Sequence, residues 1–500
     1  MSTLTRISGS FSHPDDAATT KTDVSALQNA EGDPHLVVLE PEDNPQNISL
    51  FRRWLAVLII SSASLCVTLI ALQAAFTEQG SAQTFHVSHE VTILGISLYV
   101  SGLGMGPLLV GPLSEVYGRN VVYRVSYALF FILTFPVVFA PNIAVFLIFR
   151  FITGFCGSTF LSVAGGSVSD MFPNSSIANP MAVYTISPFI GPVVGPLISG
   201  FINQYLYWEW TYRVQLCWIF AELLILVIFI PETYAPVILK KKAKRLREST
   251  GDPKFYAPLD RRENTLVSAV LISCYKPFQL LLFDRMALLL DSWNALVLGI
   301  LYLAFQAYPI IFEDNHGFDM QTTGLAFAGI GLGMILAIST QPLWNRGVPF
   351  SLMLYVRETA KYNGDPPPEM RLIMGQVGAI LVPVGLFWLA FTTYPQVHWI
   401  APIIASVPFG SGIYFVFTST FTYLVTAYRP IAASAMASNS ALRSAFAAAF
   451  PLFAGAMYDR LGTVGATALL AGLATIMAPL PFIFYRIGAR LRKNSRFAAH

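Results

Sequence analysis

The sequence predicts an all-α polytopic membrane protein of twelve transmembrane helices in two groups of six. Three observations predict it. Of 500 residues, 54% are hydrophobic and 12% charged, with mean hydropathy +0.58, whereas a soluble domain carries about 25% charged residues. The charges cluster, and the apolar stretches between them run to about twenty residues, the length of a helix that crosses a bilayer. Lys and Arg then fall in alternate loops, as they do in membrane proteins whose cytosolic side is basic.

The predicted spans are 54–76, 91–112, 121–140, 143–167, 180–203 and 212–231 in the first half. In the second half they are 286–309, 321–343, 372–392, 399–425, 436–457 and 464–486. Residues 1–50 are polar and acidic, with neither helical periodicity nor an apolar signal core, and are expected to form a disordered cytosolic tail. The domains follow: a six-helix bundle over 51–231, a cytosolic basic linker over 232–285, a second bundle over 286–486 and a basic cytosolic tail over 487–500. Loops 77–90, 310–320 and 393–398 contain no Lys or Arg and are expected outside. Arg52, Arg53, Arg119, Arg124, the linker, Arg346, Arg357, Lys361, Arg371 and the C-terminal basic residues are expected in the cytosol. Loop 168–179, with no basic residue, is a local exception. The linker run Lys240-Lys241-Lys242-Ala243-Lys244-Arg245-Leu246-Arg247 suits retention against anionic lipid or a regulatory contact. Cys66, Cys156 and Cys217 lie in spans and Cys274 in the linker loop, a spacing that favours neither metal nor disulfide.

Several residues carry candidate chemistry. A polar turn, Gly111-Pro112-Leu113-Ser114-Glu115-Val116-Tyr117-Gly118-Arg119, joins spans 2 and 3. Gly111 and Gly118 allow a tight helix turn, and Glu115 and Arg119 supply charges that brace one conformation or simply face water. Arg150 in span 4 lies at a depth where a charge is costly, so it either lines a cavity or snorkels to the outer surface. Asp291 in span 7 and Glu222 in span 6 are intramembrane acids, which makes them candidates for proton handling. Arg443 in span 11 is expected to pair with an acid of the second half. In span 5, Gly191, Pro192, Gly195 and Pro196 give a small-residue face and a bent helix. Tyr99, Tyr184, Trp293, Tyr302 and Tyr414, with Tyr308 and Tyr423, offer aromatic walls with polar tips, or else packing and interface belts. His86, His89 and Glu90 lack a fourth ligand, so no metal and no cofactor is expected. No GxSxG, HExxH or phosphate-binding GxxxxGK[ST] occurs, which argues against catalysis and against ATP-driven export.

The turn 111–119, the Arg150-Phe151-Ile152-Thr153-Gly154 stretch and the Gly191-Pro192-Val193-Val194-Gly195-Pro196 helix resemble the major facilitator superfamily, in its twelve-span drug:proton antiporter branch. Where that family commonly has Asp followed by Arg, this turn has Glu115 and Val116. Trp208-Glu209-Trp210, Pro231-Glu232-Thr233-Tyr234-Ala235-Pro236, Lys276-Pro277-Phe278 and Arg443-Ser444 extend the resemblance to fungal drug and toxin exporters, with the cercosporin exporter type nearest. The resemblance implies alternating access between two bundles, with Glu115 and Arg119 in gating, Arg150 in proton coupling and the span 5 motif in export. The expected function is proton-coupled export of an amphipathic aromatic compound such as a toxin, secondary metabolite or drug. Its partners would be that substrate, protons and the bilayer, with no nucleic acid, in a monomer at the plasma membrane or, less in keeping, the vacuolar one. A transporter of small polar solutes such as a sugar or polyamine, or a non-transporting receptor on the same scaffold, is the alternative.

Overall fold

The computed structural model describes residues 35–173, 176–261, 266–341, 367–428 and 431–495. Residues 1–34, Arg346, Arg357 and Lys361 lie outside the described residues. Eleven segments are long and apolar enough to cross a membrane. Spans 1 to 6 are Leu50–Phe85, His89–Tyr117, Arg119–Val138, Ile143–Met171, Asn179–Tyr205 and Glu209–Phe229. Spans 7 to 10 are Arg285–Asp314, Met320–Ser339, Pro368–Thr392 and Ile400–Ala427. The last segment, Ser434–Lys493, is 60 residues long. At 1.5 Å per residue an unbroken helix of that length would reach about 90 Å, three times a hydrocarbon core of about 30 Å. It breaks at Gly462, where φ is 70° and ψ is 170°. That glycine reverses the chain and restores the count of twelve.

The halves repeat one packing scheme. In the first half span 1 packs on span 5, span 2 on span 4, and span 3 on spans 4 and 6. In the second, span 7 packs on span 11, span 8 on span 10, and span 9 on spans 10 and 12. Each pairing recurs six spans later. The halves meet where span 2 crosses span 11 and span 5 crosses span 8, contacts exchanged by the same shift. The repeat is nearly invisible in the residues because packing needs only small side chains at the crossings. A Cβ on Gly102 of span 2 would stand 2.7 Å from the Phe155 nitrogen in span 4, and one on Gly333 of span 8 would stand 2.9 Å from the Ser411 nitrogen in span 10.

Four expectations are corrected. The tail ends before residue 50: Leu36 bridges to Tyr256, and Lys242 binds Asp43 at 2.7 Å and Glu40 at 2.9 Å. Those carboxylates, the Asp43 hydrogen bond foremost, push the Lys242 ammonium above the usual lysine value. The linker is not a loop but two helices, Ala235–Thr250 and Leu266–Phe283, the second holding Cys274 and packing on spans 2 and 11. The region 487–500 begins as helix, to Asn494, pinned by Arg492 on Glu369 at 2.8 Å. Span 1 also continues past residue 77 as a polar helix, Glu78–Phe85, where an outer loop is expected.

The conformation at Gly462 belongs to a region open to glycine alone. Gly462→Val is therefore expected to cost about 1–3 kcal/mol, seen as a lower Tm of the purified protein in detergent. Gly455→Val, where an added Cβ meets nothing within 4 Å, is expected to leave Tm unchanged.

Candidate functional site

The turn between spans 2 and 3 is built around Glu232. Gly118 has φ 96°, and a Cβ there would press on the Glu232 carboxylate, 2.8 Å from its Cδ. Gly118 precedes span 3, so the first N–H groups of that helix lack intrahelical acceptors. Glu232, just past span 6, supplies one: the Arg119 N–H donates to its Oε1 at 2.9 Å. The Arg119 side chain turns back into its own half. Its Nε donates to Asp170 at the end of span 4 at 3.3 Å, one terminal nitrogen donates to Ser114 Oγ at 2.8 Å, and the guanidinium lies 4.9 Å from the Tyr234 ring. Glu115 is exposed and Gly111 has open space around it. The brace is thus Arg119–Asp170–Glu232 rather than Glu115–Arg119, and it ties spans 2, 3, 4 and 6 without crossing between the halves.

Arg150 is 1% exposed, which rules out snorkelling. Its Nε donates to the Gly95 carbonyl at 3.1 Å, and its terminal nitrogens reach the Ile70 and Ala71 carbonyls at 3.4 Å. Those two carbonyls are free because the regular helix of span 1 ends at Gln73 and tightens into a single 3₁₀ turn. The negative end of that helix draws the cation. Tyr99 lies beneath the guanidinium at 4.4 Å, and its hydroxyl donates to the Val67 carbonyl at 2.8 Å.

Span 5 touches both halves. A Cβ on Gly191 would press on Thr68 of span 1, with the Leu69 nitrogen at 2.9 Å, and one on Gly195 would stand 2.7 Å from the Leu69 oxygen. On the next faces, the Pro196 carbonyl comes within 2.8 Å of a Cβ placed on Gly324 of span 8, and Gly200 packs on Met320. Pro192 and Pro196 stand inside the helix. Their rings donate no hydrogen bond, so the carbonyls one turn earlier lose an intrahelical partner.

The end of the molecule bearing loops 77–90 and 310–320, here the far end, is sealed across the halves. Gln306 of span 7 donates to Glu78 of span 1 at 2.8 Å, Tyr205 bonds Gln321 at 3.1 Å, and the Met320 N–H donates to Gln204 at 3.1 Å. Phe76 and Phe305 close on Phe327, the latter pair stacked at 4.9 Å. Glu78 is buried, and His89 stands 3.3 Å away. Sequence reasoning missed this acid because a short polar stretch reads as a loop.

The remaining candidates divide by position. Asp291 is fully buried between spans 7 and 11, accepting from Ser438 and Asn439 at 2.9 Å each. Glu222 accepts from Ser62 of span 1 at 2.9 Å, inside the first half. Trp293 packs on Gly375, and Tyr414 bonds Gln341 at 3.1 Å, both within the second half. Tyr99 lies within the first half. Tyr184 and Tyr302 lie within electrostatic range of Arg443. Among the described residues Arg443 makes no ion pair with Asp291, which accepts from Ser438 and Asn439; it lies over Phe417 and Phe421.

Two pseudo-repeated bundles, close-packed through glycines and sealed at one end by breakable hydrogen bonds, define a secondary transporter and not an enzyme. The major facilitator superfamily model matches residues 54–450. The efflux pump atB of Aspergillus terreus is 42% identical over 98% of this chain and 94% of its own length. The probable drug/proton antiporter YHK8 of Saccharomyces cerevisiae is 42% identical over 92% of this chain and 88% of its own. Among solved structures, a partially occluded inward-open xylose transporter XylE from E. coli has TM-score 0.61 at 15% identity, covering 87% of this chain and 98% of its own. This multi-pass membrane chain belongs to the major facilitator superfamily.

Arg119→Ala removes a side chain outside the hydrocarbon core, so the protein is expected to reach the membrane at normal level while transport in vesicles falls about tenfold or more. Gly195→Leu drives a side chain into the span 1 backbone, and overpacking of this kind costs about 1–3 kcal/mol. Transport by Gly195→Leu, normalised to protein in the membrane, is expected to be lost, and by Gly195→Ala reduced.

Proposed function

We propose that this protein exports an amphipathic aromatic compound from the cytosol in exchange for protons, by alternating access, from a plasma membrane in which both its termini face the cytosol. One observation carries the reading. Span 5 lies within backbone distance of span 1 through Gly191 and Gly195, and of span 8 through Pro196 and Gly200. A helix wedged this closely between the halves limits leakage while they rock, and Gly191, Gly195 and Gly200 carry no side chain that would lock them. The names of the relatives support the same reading, one an efflux pump and the other a probable drug/proton antiporter. The central layer supports the substrate class: Phe189 stacks on Phe417 at 4.8 Å across the halves, an apolar contact unsuited to a sugar.

The energetics suffice. A proton crossing 100 mV releases about 2.3 kcal/mol, and each pH unit adds about 1.4 kcal/mol. A tenfold substrate gradient costs about 1.4 kcal/mol. Asp291 is the carboxylate we assign to proton coupling, with Arg150 holding span 1 in register during the change. Asp291 is sealed in this conformation, so its proton must exchange in another conformation of the cycle. Asp291→Asn preserves the shape and offers an amide to Ser438 and Asn439. In proteoliposomes, an exported aromatic compound is expected to dissipate an imposed pH gradient with the native chain and not with Asp291→Asn. Dissipation by that variant with an unchanged pH profile would remove Asp291 from coupling.

A further inference from the structure

Arg150 and Arg119 of the first half hold oxygen partners, and among the described residues Arg443 of the second half does not. Arg150 holds backbone carbonyls and Arg119 holds Asp170 and Ser114. Among the described residues, the shielded Nε of Arg443 has no hydrogen-bond partner. The acid in its electrostatic range, Asp291, gives both oxygens to Ser438 and Asn439. What Arg443 does meet is aromatic. Its guanidinium lies 5.1 Å from the Phe421 ring and 5.7 Å from the Phe417 ring.

The place matters as much as the bonding. Arg443 follows Ala432, where the helix begins, by eleven residues, about 16 Å along the axis. That is near the middle of a core about 30 Å thick. Both halves converge there. Next to Arg443, Ser444 abuts Gly104 of span 2, with its Oγ 2.8 Å from where a Cβ would stand. Phe189 of span 5 stacks on Phe417, and Tyr184 of span 5 and Tyr302 of span 7 lie within electrostatic range of the guanidinium. A charge held at that depth without a counter-ion is costly. An arriving oxyanion would repay that cost through two parallel charge-assisted hydrogen bonds, a geometry that guanidinium favours.

We propose that Arg443 is the recognition group for an organic oxyanion, so that the exported compounds are aromatic acids in their ionised form. The acid head pairs with the guanidinium, and its ring displaces Phe189 from the Phe417–Phe421 layer. Loading then loosens a contact between the halves, which joins binding to the conformational change. A cationic aromatic of the same shape meets an uncompensated Arg443 and is rejected. This inference rests on the exporter reading above.

The test uses two probes of one ring system and opposite permanent charge: 2-naphthalenesulfonate and (2-naphthyl)trimethylammonium. Uptake into proteoliposomes of the full chain is driven by an acid interior and corrected for protein-free vesicles. The native chain is expected to move the sulfonate at least about tenfold faster than the ammonium. Arg443→Gln is expected to collapse that ratio toward one, and Arg443→Lys to retain part of it. A merely structural role would lower both fluxes together and leave the ratio standing. A native preference for the ammonium, a native ratio near one, or a ratio unchanged in Arg443→Gln overturns the proposal and leaves the exporter reading intact. Failure of both probes to respond to the proton gradient overturns the exporter reading and this inference with it.

Discussion

The account depends on the guanidinium of Arg150 at the carbonyl end of the span 1 helix. Lipid offers no partner to the free carbonyls of Ile70 and Ala71, so the protein must supply one. Arg150 does so from span 4, across Tyr99, and also takes the Gly95 carbonyl of span 2. One side chain therefore locks three spans at one depth. The last turn of span 1 can then tighten and continue as Glu78–Phe85. That continuation carries Glu78 to Gln306 and so closes the far end.

Span 1 passes the constraint onward. Leu69, beside the two captured carbonyls, is the residue against which Gly191 and Gly195 pack. Span 5 is thereby fixed to the first half, and its other face meets span 8. The layer that closes the far end is made of hydrogen bonds and ring contacts, each worth about 0.5–1.5 kcal/mol, and among the described residues no ion pair crosses between the halves there. Such a seal can break under a gradient worth a few kcal/mol. The stronger, charged contacts, Arg119 with Asp170 and Arg492 with Glu369, stay within single halves, which keeps each bundle rigid while the boundary between them remains labile.

Much of this was legible in the sequence, and the rest was hidden for identifiable reasons. The helical spans follow from hydropathy and charge, while Gly191, Gly195, Arg119 and Arg150 stand out by residue type, depth and the resemblance to the family. The partner of Arg150 was not legible, because every residue carries a carbonyl and only a helix end frees one. Asp170 lies 51 residues from Arg119, and no local pattern links them; Glu232 lies in the Pro231–Pro236 stretch, yet its capping of span 3 is a tertiary fact. Glu78 was lost to a loop drawn through eight polar helical residues. Trp293, Tyr414 and Tyr184 look alike as aromatics in spans, and only packing separates the first two, enclosed in one half, from the third beside Arg443.

The central claim is that the far-end seal must part in every transport cycle. It is tested by bridging Gln204→Cys and Gln321→Cys with a short bismaleimide, in a chain whose Cys217 and Cys274 are replaced by serine. The account predicts that the double-cysteine protein transports before bridging and stops once bridged, while each single-cysteine protein treated alike continues. Undiminished transport by the bridged protein would contradict it.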